Sequence, residues 1–193
     1  ALASGGLQSR RVVLRKVAMQ YSPNNDIPYV ARVDAGTVEL VRSMPGVTVV
    51  TSADLVQQFE ATLTPEQLAT HREAADKLRK VIMEGFAEIG RRVRNNETPT
   101  EYDIQQFIAR RLGEEGMTGG VGNVSAGANS ANPHYHPTQE RNSPIRRGDF
   151  VLFDITVKAA KPGSIVADQT WVGYVGETVP DEHVKIFNIV KEA

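Results

Sequence analysis

The sequence contains no cysteine, which excludes disulfide bonds, thiolate zinc sites and cysteine nucleophiles. No apolar run approaches the length that spans a membrane, and no signal peptide is recognisable. The formal net charge of −1 leaves no basic excess that would attract nucleic acid or an anionic membrane surface. The lack of cysteine also fits a reducing compartment. Together these absences predict a cytoplasmic protein that binds neither nucleic acid nor membranes.

The 193 residues have the composition of a folded protein, with 40% hydrophobic and 23% charged residues. This length allows one domain or two small ones with a buried core. We place a boundary near residues 61–63, where short alternating elements give way to long helical patterns. The first residue is alanine, so we expect a start that is processed or cut from something longer.

Residues 1–62 alternate between short strands and short helices. Residues 12–14, 17–19 and 47–50 are β-prone, and Asp34 and Ser52 stand where helix N-caps are expected. This pattern predicts part of a small α/β layer.

Two longer helices are predicted next. The motif Thr-Pro-Glu-Gln at residues 64–67 combines an N-cap, a proline at the first helical position and a capping-box glutamine. Apolar residues then recur at helical spacing as far as Val93. Thr100 with Asp103 predicts the start of the second helix.

From residue 117 onward the pattern changes to strands. The glycine-rich segment 119–127 invites comparison with phosphate-binding loops, but it lacks the lysine and the strand-before-helix setting that such loops need. Close backbone packing near a site is the favoured interpretation. A turn at residues 132–137 then carries His134 and His136 between two prolines.

Two aspartates, Asp154 and Asp168, lie inside apolar, strand-like runs that contain no lysine or arginine. Burying an ionised carboxylate without a partner costs several kcal/mol, so such groups are usually protonated, paired or bound to metal. Two carboxylates about 4 Å apart would repel by about 4 kcal/mol at an effective dielectric constant near 20. A shared divalent cation would remove both penalties.

The alternation along residues 150–157 places apolar side chains on both faces of the strand, so we expect it to be covered on both sides. If the two runs form a hairpin, a register that pairs Asp154 with Asp168 centres on Lys161 and requires a longer loop or a bulge. Both carboxylates would then lie side by side on one face. Oxygen ligands in such a place suit a divalent ion such as manganese.

Simpler interpretations stay open for each of these residues. A single aspartate in a strand more often bonds a backbone amide or a distant arginine than a metal. His134 by itself would suit a turn, and we interpret His71 and His183 as structural or solvated.

The segments Ala-Asn-Pro-His-Tyr at 131–135, Arg-Gly-Asp-Phe-Val-Leu-Phe-Asp at 147–154 and Ala-Asp-Gln-Thr at 167–170 together resemble the pita-bread metallopeptidases. That superfamily includes methionine aminopeptidase, aminopeptidase P, prolidase and creatinase, and the chain looks most like the prolidase and aminopeptidase P branch. The resemblance implies an α+β fold. Residues 1–62 would be the C-terminal part of a smaller, creatinase-like N-terminal domain, and residues 63–193 the first half of a pita-bread catalytic domain, with long helices packed on a curved antiparallel sheet.

The resemblance also implies roles for three residues. Asp154 would bind one metal ion, Asp168 would bridge two, and His134 would be a catalytic histidine near the scissile bond. The implied activity is that of a metal-dependent exopeptidase that cleaves Xaa-Pro bonds with a metal-activated hydroxide. Two divalent ions are expected in the complete enzyme, manganese before cobalt or zinc. A peptide with proline after its first residue would be the substrate, and the parent protein is expected to be a homodimer. His136 has no assigned counterpart.

The chain departs from the family pattern in ways that bear on function. The interval between the two aspartates is longer than usual, and Trp171 stands where many members have arginine. The family's remaining ligands, one histidine and two glutamates, come from later segments of the fold, so we expect this chain to be an internal fragment that is inactive alone. A non-catalytic pita-bread module that binds peptides or proteins is the alternative, and a metal-free hydrolase of the creatinase type ranks lower because it normally lacks the aspartate pair.

Overall fold

The computed structural model describes residues 15–193, so the predicted strand at residues 12–14 lies outside the described part. The chain divides into two compact units, Ala1–Leu63 and Thr64–Ala193. Each unit is built around its own sheet.

The first unit alternates strands and helices, as its sequence predicts. The strands β1 and β2 pair in parallel, with Val17 opposite Val49. Helix α1 lies between them in the chain, and its N-terminus is capped by the side chain of Asp34, which accepts a hydrogen bond from the Thr37 amide. The elements are β1 (Arg15–Met19), two 3-10 turns (Pro23–Asn25 and Pro28–Val30), α1 (Ala35–Arg42), β2 (Val47–Thr51) and α2 (Ala53–Glu60).

The second unit opens with two capped helices, α3 (Pro65–Arg94) and α4 (Glu101–Glu114). In each capping box a threonine hydroxyl accepts from the third helical amide, and the side chain at that position accepts from the threonine amide. Both predicted boxes are therefore confirmed. They satisfy backbone groups that a helix start otherwise leaves without partners.

A three-stranded antiparallel sheet follows, in the order β3-β4-β5. Its strands are β3 (Met117–Ala126), β4 (Phe150–Ala159) and β5 (Ala167–Tyr174). A 3-10 turn (Gly127–Ala131) follows β3, and the helix α5 (Asp181–Glu192) ends the chain as given.

The core of this unit lies between α3, α4 and one face of the sheet. Alternate β4 residues such as Val151, Phe153 and Ile155 are buried there, and the Phe153 ring stacks on Phe86 with centroids 4.3 Å apart. The intervening residues on the opposite face, from Phe150 to Thr156, are half-buried or exposed in the described part. Within the described residues this second face is covered only in part: His183 of α5 stacks on Phe150, whereas Thr156 is exposed. The prediction that β4 is covered on both sides is therefore wrong beyond the start of the strand.

The glycine-rich strand β3 lies unusually close to β4. A Cβ atom at Gly122 would lie 2.7 Å from the carbonyl oxygen of Asp154, and one at Gly119 would lie 2.5 Å from that of Thr156. The close backbone packing predicted for this segment is confirmed, and it accompanies a register irregularity between Gly120 and Asn123. None of the helices within residues 15–193 has the length and hydropathy needed to cross a membrane.

We expect Phe153→Ala to lower the free energy of unfolding of the second unit by about 3–5 kcal/mol, because it empties a fully buried position. Fluorescence of Trp171, the only tryptophan, reports on this unit during unfolding in urea. Leu152→Ala, on the partly exposed face, is the matched control and should cost less. Equal losses for the two variants would contradict a core on one face.

Candidate active site

Asp154 and Asp168 lie on neighbouring strands but not directly opposite each other. The register places Asp154 opposite Thr170 and Asp168 opposite Thr156. The register predicted to pair the two aspartates is therefore wrong by two residues. The hairpin centres on Pro162 and not on Lys161, because Gly163 adopts a positive φ of 74° that permits the turn there.

Both carboxylates nevertheless share one face of the sheet, because directly paired residues point to the same side and alternate residues along a strand do likewise. They are diagonal neighbours, a relation that typically separates residues by about 7–8 Å. At that spacing two side chains can converge on a common ligand between them. The prediction that both carboxylates lie on one face is therefore correct, although the predicted register is not.

Neither carboxylate is buried in the described part of the chain. Asp154 is half-buried and Asp168 is exposed, because both lie on the face opposite the helices. The Thr170 hydroxyl donates a hydrogen bond of 2.9 Å to Asp154 Oδ1, which leaves Oδ2 available. The two carboxylates therefore do not carry the cost of buried charge, and their common face is what suggests a site.

The segment that carries His134 is attached to β3 beside Asp154. Asn123 is the residue directly opposite Asp154 on β3 and is 3% exposed. Its Nδ2 donates to the backbone oxygen of Asn132 over 3.3 Å, and Asn132 Oδ1 accepts from the His134 amide at 3.0 Å. Two asparagines thus connect the predicted catalytic histidine to the strand position beside the predicted metal ligand.

No role for Asn123 or Asn132 in a site was predicted from the sequence. The Oδ1 atom of Asn123 is buried and has no hydrogen-bond partner among the described residues, an arrangement that is costly unless a further group binds there. A buried amide opposite Asp154 was detectable only from the strand register, which the sequence does not specify.

The other histidines take different positions. The ring of His136 approaches the glycine strand, since a Cβ atom at Gly122 would lie 3.9 Å from its Cε1. His71 Nδ1 lies 2.7 Å from the carbonyl oxygen of Val166, and the His183 ring stacks on Phe150. The structural interpretation of His71 and His183 agrees with these contacts.

The predicted site residues fit part of a metal site. Two carboxylates on one face offer the oxygen ligands that suit a hard or borderline divalent ion such as manganese. Among residues 15–193, however, no group of three histidine, aspartate or glutamate side chains is arranged to hold an ion. His134 is exposed and does not complete such a group with the aspartates.

Beside His134, Tyr135 turns into the protein. Its hydroxyl donates a 2.6 Å hydrogen bond to Oε2 of Glu101, and its side chain is buried. Burial, together with the neighbouring Glu101 carboxylate, raises the pKa of Tyr135 from 10.0 to about 12. A tyrosinate would be both desolvated and repelled there.

This raised pKa predicts that the second unit loses stability as the pH rises from about 10 to about 12. In that window the unfolded tyrosine releases its proton while the folded one still holds it, so unfolding is increasingly favoured. Tyr135→Phe should remove this loss, which urea unfolding at a series of pH values measures. An unchanged pH dependence in the variant would show that the Tyr135–Glu101 contact is absent.

The profile of the family described as Metallopeptidase family M24 matches residues 69–193. No curated protein sequence matches the chain significantly. Among solved structures, the X-Pro aminopeptidase from Thermotoga maritima is 22% identical with a TM-score of 0.60, and the match covers 83% of this chain and 42% of that one. The Xaa-Pro dipeptidase from Bacillus anthracis is 21% identical with a TM-score of 0.57 and the same coverage.

The X-prolyl aminopeptidase from Caenorhabditis elegans, described as a cytosolic enzyme with a di-nuclear active site, is 19% identical with a TM-score of 0.58. This match covers 71% of this chain and 22% of that one. At these identities the likeness shows the fold alone, and the chain spans less than half the length of these proteins. The α+β class expected from the sequence is confirmed, and because the family profile matches most of the described chain, the protein belongs to metallopeptidase family M24.

Proposed function

We propose that the chain is part of a cytoplasmic, metal-dependent exopeptidase that cleaves Xaa-Pro bonds. The observation that carries this proposal is the placement of Asp154 and Asp168 on one open face of the sheet, with the His134 segment attached to the strand beside them. Membership of a metallopeptidase family supports the reaction class. The preference for proline rests on the structural likeness to X-Pro aminopeptidases and Xaa-Pro dipeptidases.

In this proposal Asp154 and Asp168 hold two divalent ions, of which manganese is preferred over cobalt or zinc. Such ions supply activated water at neutral pH and polarisation of the peptide carbonyl when they are bound. Thr170 restrains the Asp154 carboxylate through the hydrogen bond that its hydroxyl donates to Oδ1.

His134 is the proposed catalytic histidine. His134 is exposed, and its backbone amide is held by the Asn132 side chain, so the imidazole is accessible to a substrate. A histidine so placed can donate a hydrogen bond to developing negative charge or transfer a proton near the scissile bond. The proposed division of labour is that the aspartates bind metal and His134 acts on the peptide.

The domain assignment is part of the same proposal. Residues 1–62 are the C-terminal part of a creatinase-like N-terminal domain, and residues 63–193 are the first half of the catalytic domain. A complete enzyme would then draw one histidine and two glutamates from later residues, and it would act as a homodimer. A downstream sequence with a His-Gly motif followed by two glutamates supports this, and their absence favours a non-catalytic module that binds peptides or proteins.

We expect Asp168→Asn to abolish both metal binding and hydrolysis of Xaa-Pro dipeptides in the chain extended by its natural downstream residues, because a neutral amide is a much weaker ligand for divalent ions than a carboxylate. His134→Ala should abolish hydrolysis and retain metal. Elemental analysis of the purified variants, together with an assay of released proline, separates the two effects. Asp181→Asn, which removes an exposed carboxylate from α5, is the control. Unchanged metal content in Asp168→Asn would refute the ligand assignment.

The 193-residue chain by itself should not hydrolyse Xaa-Pro dipeptides when manganese is added, because two aspartates provide too few ligands for a dinuclear site. The measurement is proline release with the purified chain beside the extended protein. Hydrolysis by the shorter chain that disappears in its Asp154→Asn variant would show that the described residues suffice.

A further inference from the structure

Glu101 is a charged residue with no solvent exposure, at the first position of α4. A buried carboxylate is unfavourable unless hydrogen-bond donors surround it. The N-terminus of a helix also stabilises negative charge, because its amide groups point toward the preceding residues. Glu101 therefore needs hydrogen-bond donors from other segments.

Those donors all come from the segment that includes His134. Oε1 of Glu101 accepts from the Ala126 amide at 2.7 Å and from Asn129 Nδ2 at 3.0 Å. Oε2 accepts from the Tyr135 hydroxyl at 2.6 Å, from the Ser143 amide at 2.7 Å and from Asn129 Nδ2 at 3.2 Å. The carboxylate thus binds one continuous stretch of chain at four residues.

The four donors lie on both sides of His134 along the chain. Ala126 and Asn129 precede it, whereas Tyr135 and Ser143 follow it. The Glu101 amide also donates to the Ser143 carbonyl at 2.9 Å, so both the backbone and the side chain of Glu101 bind Ser143. Residues 126–143 are therefore fastened to the start of α4 before and after the histidine.

We propose that Glu101 is a positioning residue that sets the location of His134 relative to Asp154. It touches neither of them and acts through Tyr135, the residue directly after the histidine. The contact of Asn123 with Asn132 holds the same segment to β3, so Glu101 and Asn123 fix it to two different elements. The role assigned to Glu101 in catalysis rests on the function proposed for His134, whereas its effect on the segment's position does not.

Glu101→Gln is the sharpest variant. The amide keeps the volume of the side chain, but its NH2 group must face donors such as the Tyr135 hydroxyl or the Ser143 amide, so the segment has to shift. Asp103→Asn is the matched control, because Asp103 accepts from the Thr100 amide in the capping box of the same helix and binds no part of residues 126–143 in the described structure. It weakens the same helix start without acting on the histidine segment.

The first experiment uses the 193-residue chain and does not depend on activity. We expect Glu101→Gln to change the NMR signals of the His134 ring and to speed amide exchange at Tyr135. Asp103→Asn should change neither the His134 signals nor the Tyr135 exchange rate, even if it lowers the Tm by the same amount. Unchanged His134 signals in Glu101→Gln would overturn the proposal. If that variant does not fold, Tyr135→Phe, which removes one donor and no charge, replaces it with the same expected outcome.

The second experiment measures hydrolysis of an Xaa-Pro dipeptide by the extended protein with manganese. We expect Glu101→Gln to lower kcat by about 100-fold with KM and metal content unchanged, since displacing a catalytic group by about 1 Å costs that much. Asp103→Asn should leave kcat unchanged. Equal losses of kcat in the two variants would show that Glu101 only stabilises the fold, and would contradict its positioning role. An inactive wild-type protein would refute the proposed function, and the NMR result would still decide whether Glu101 positions the segment.

Discussion

The packing of α3 and α4 on a single face of the sheet is the constraint on which the rest of the second unit depends. It buries Val151, Phe153 and Ile155 of β4 and leaves the intervening residues on the other face. Because side chains alternate along a strand, this arrangement directs Asp154 away from the core, where an isolated charge would be costly. The candidate site exists on that open face because the helices occupy the opposite one.

The candidate site on the open face depends on two further pairings between segments distant in sequence. The pairing of β4 with β5 brings Asp168 diagonally beside Asp154, and the pairing of β3 with β4 brings Asn123 directly beside it. Asn123 then holds the segment of His134 from one side, while the buried Glu101 holds it from the other. His134 lies on an irregular segment, which could not hold the histidine in place by itself. Its position depends on the rigid strand and helix to which the segment is bonded.

Local features of the fold were predictable because their causes are local. The capping boxes at Thr64 and Thr100 and the long helical period that follows the first of them each depend on residues within a few positions. The choice of Asp154, Asp168 and His134 came from short motifs, and their roles remain proposals. The register of the hairpin was mistaken by two residues because a shift of one position in a turn moves every partner by two.

The sequence by itself determined the helix starts and the strand runs, which follow from periodicity and capping residues. Its short motifs carried the resemblance that implied the α+β class and the family. Only the tertiary structure decided which face of β4 is covered and that both aspartates lie on the open one. It also decided that Glu101 is a buried acceptor, although the sequence presents it as an ordinary acid in a first helical turn. The physical reason is that burial and hydrogen bonding join residues such as Glu101 and Ser143, which are far apart in the chain and meet only when the elements pack.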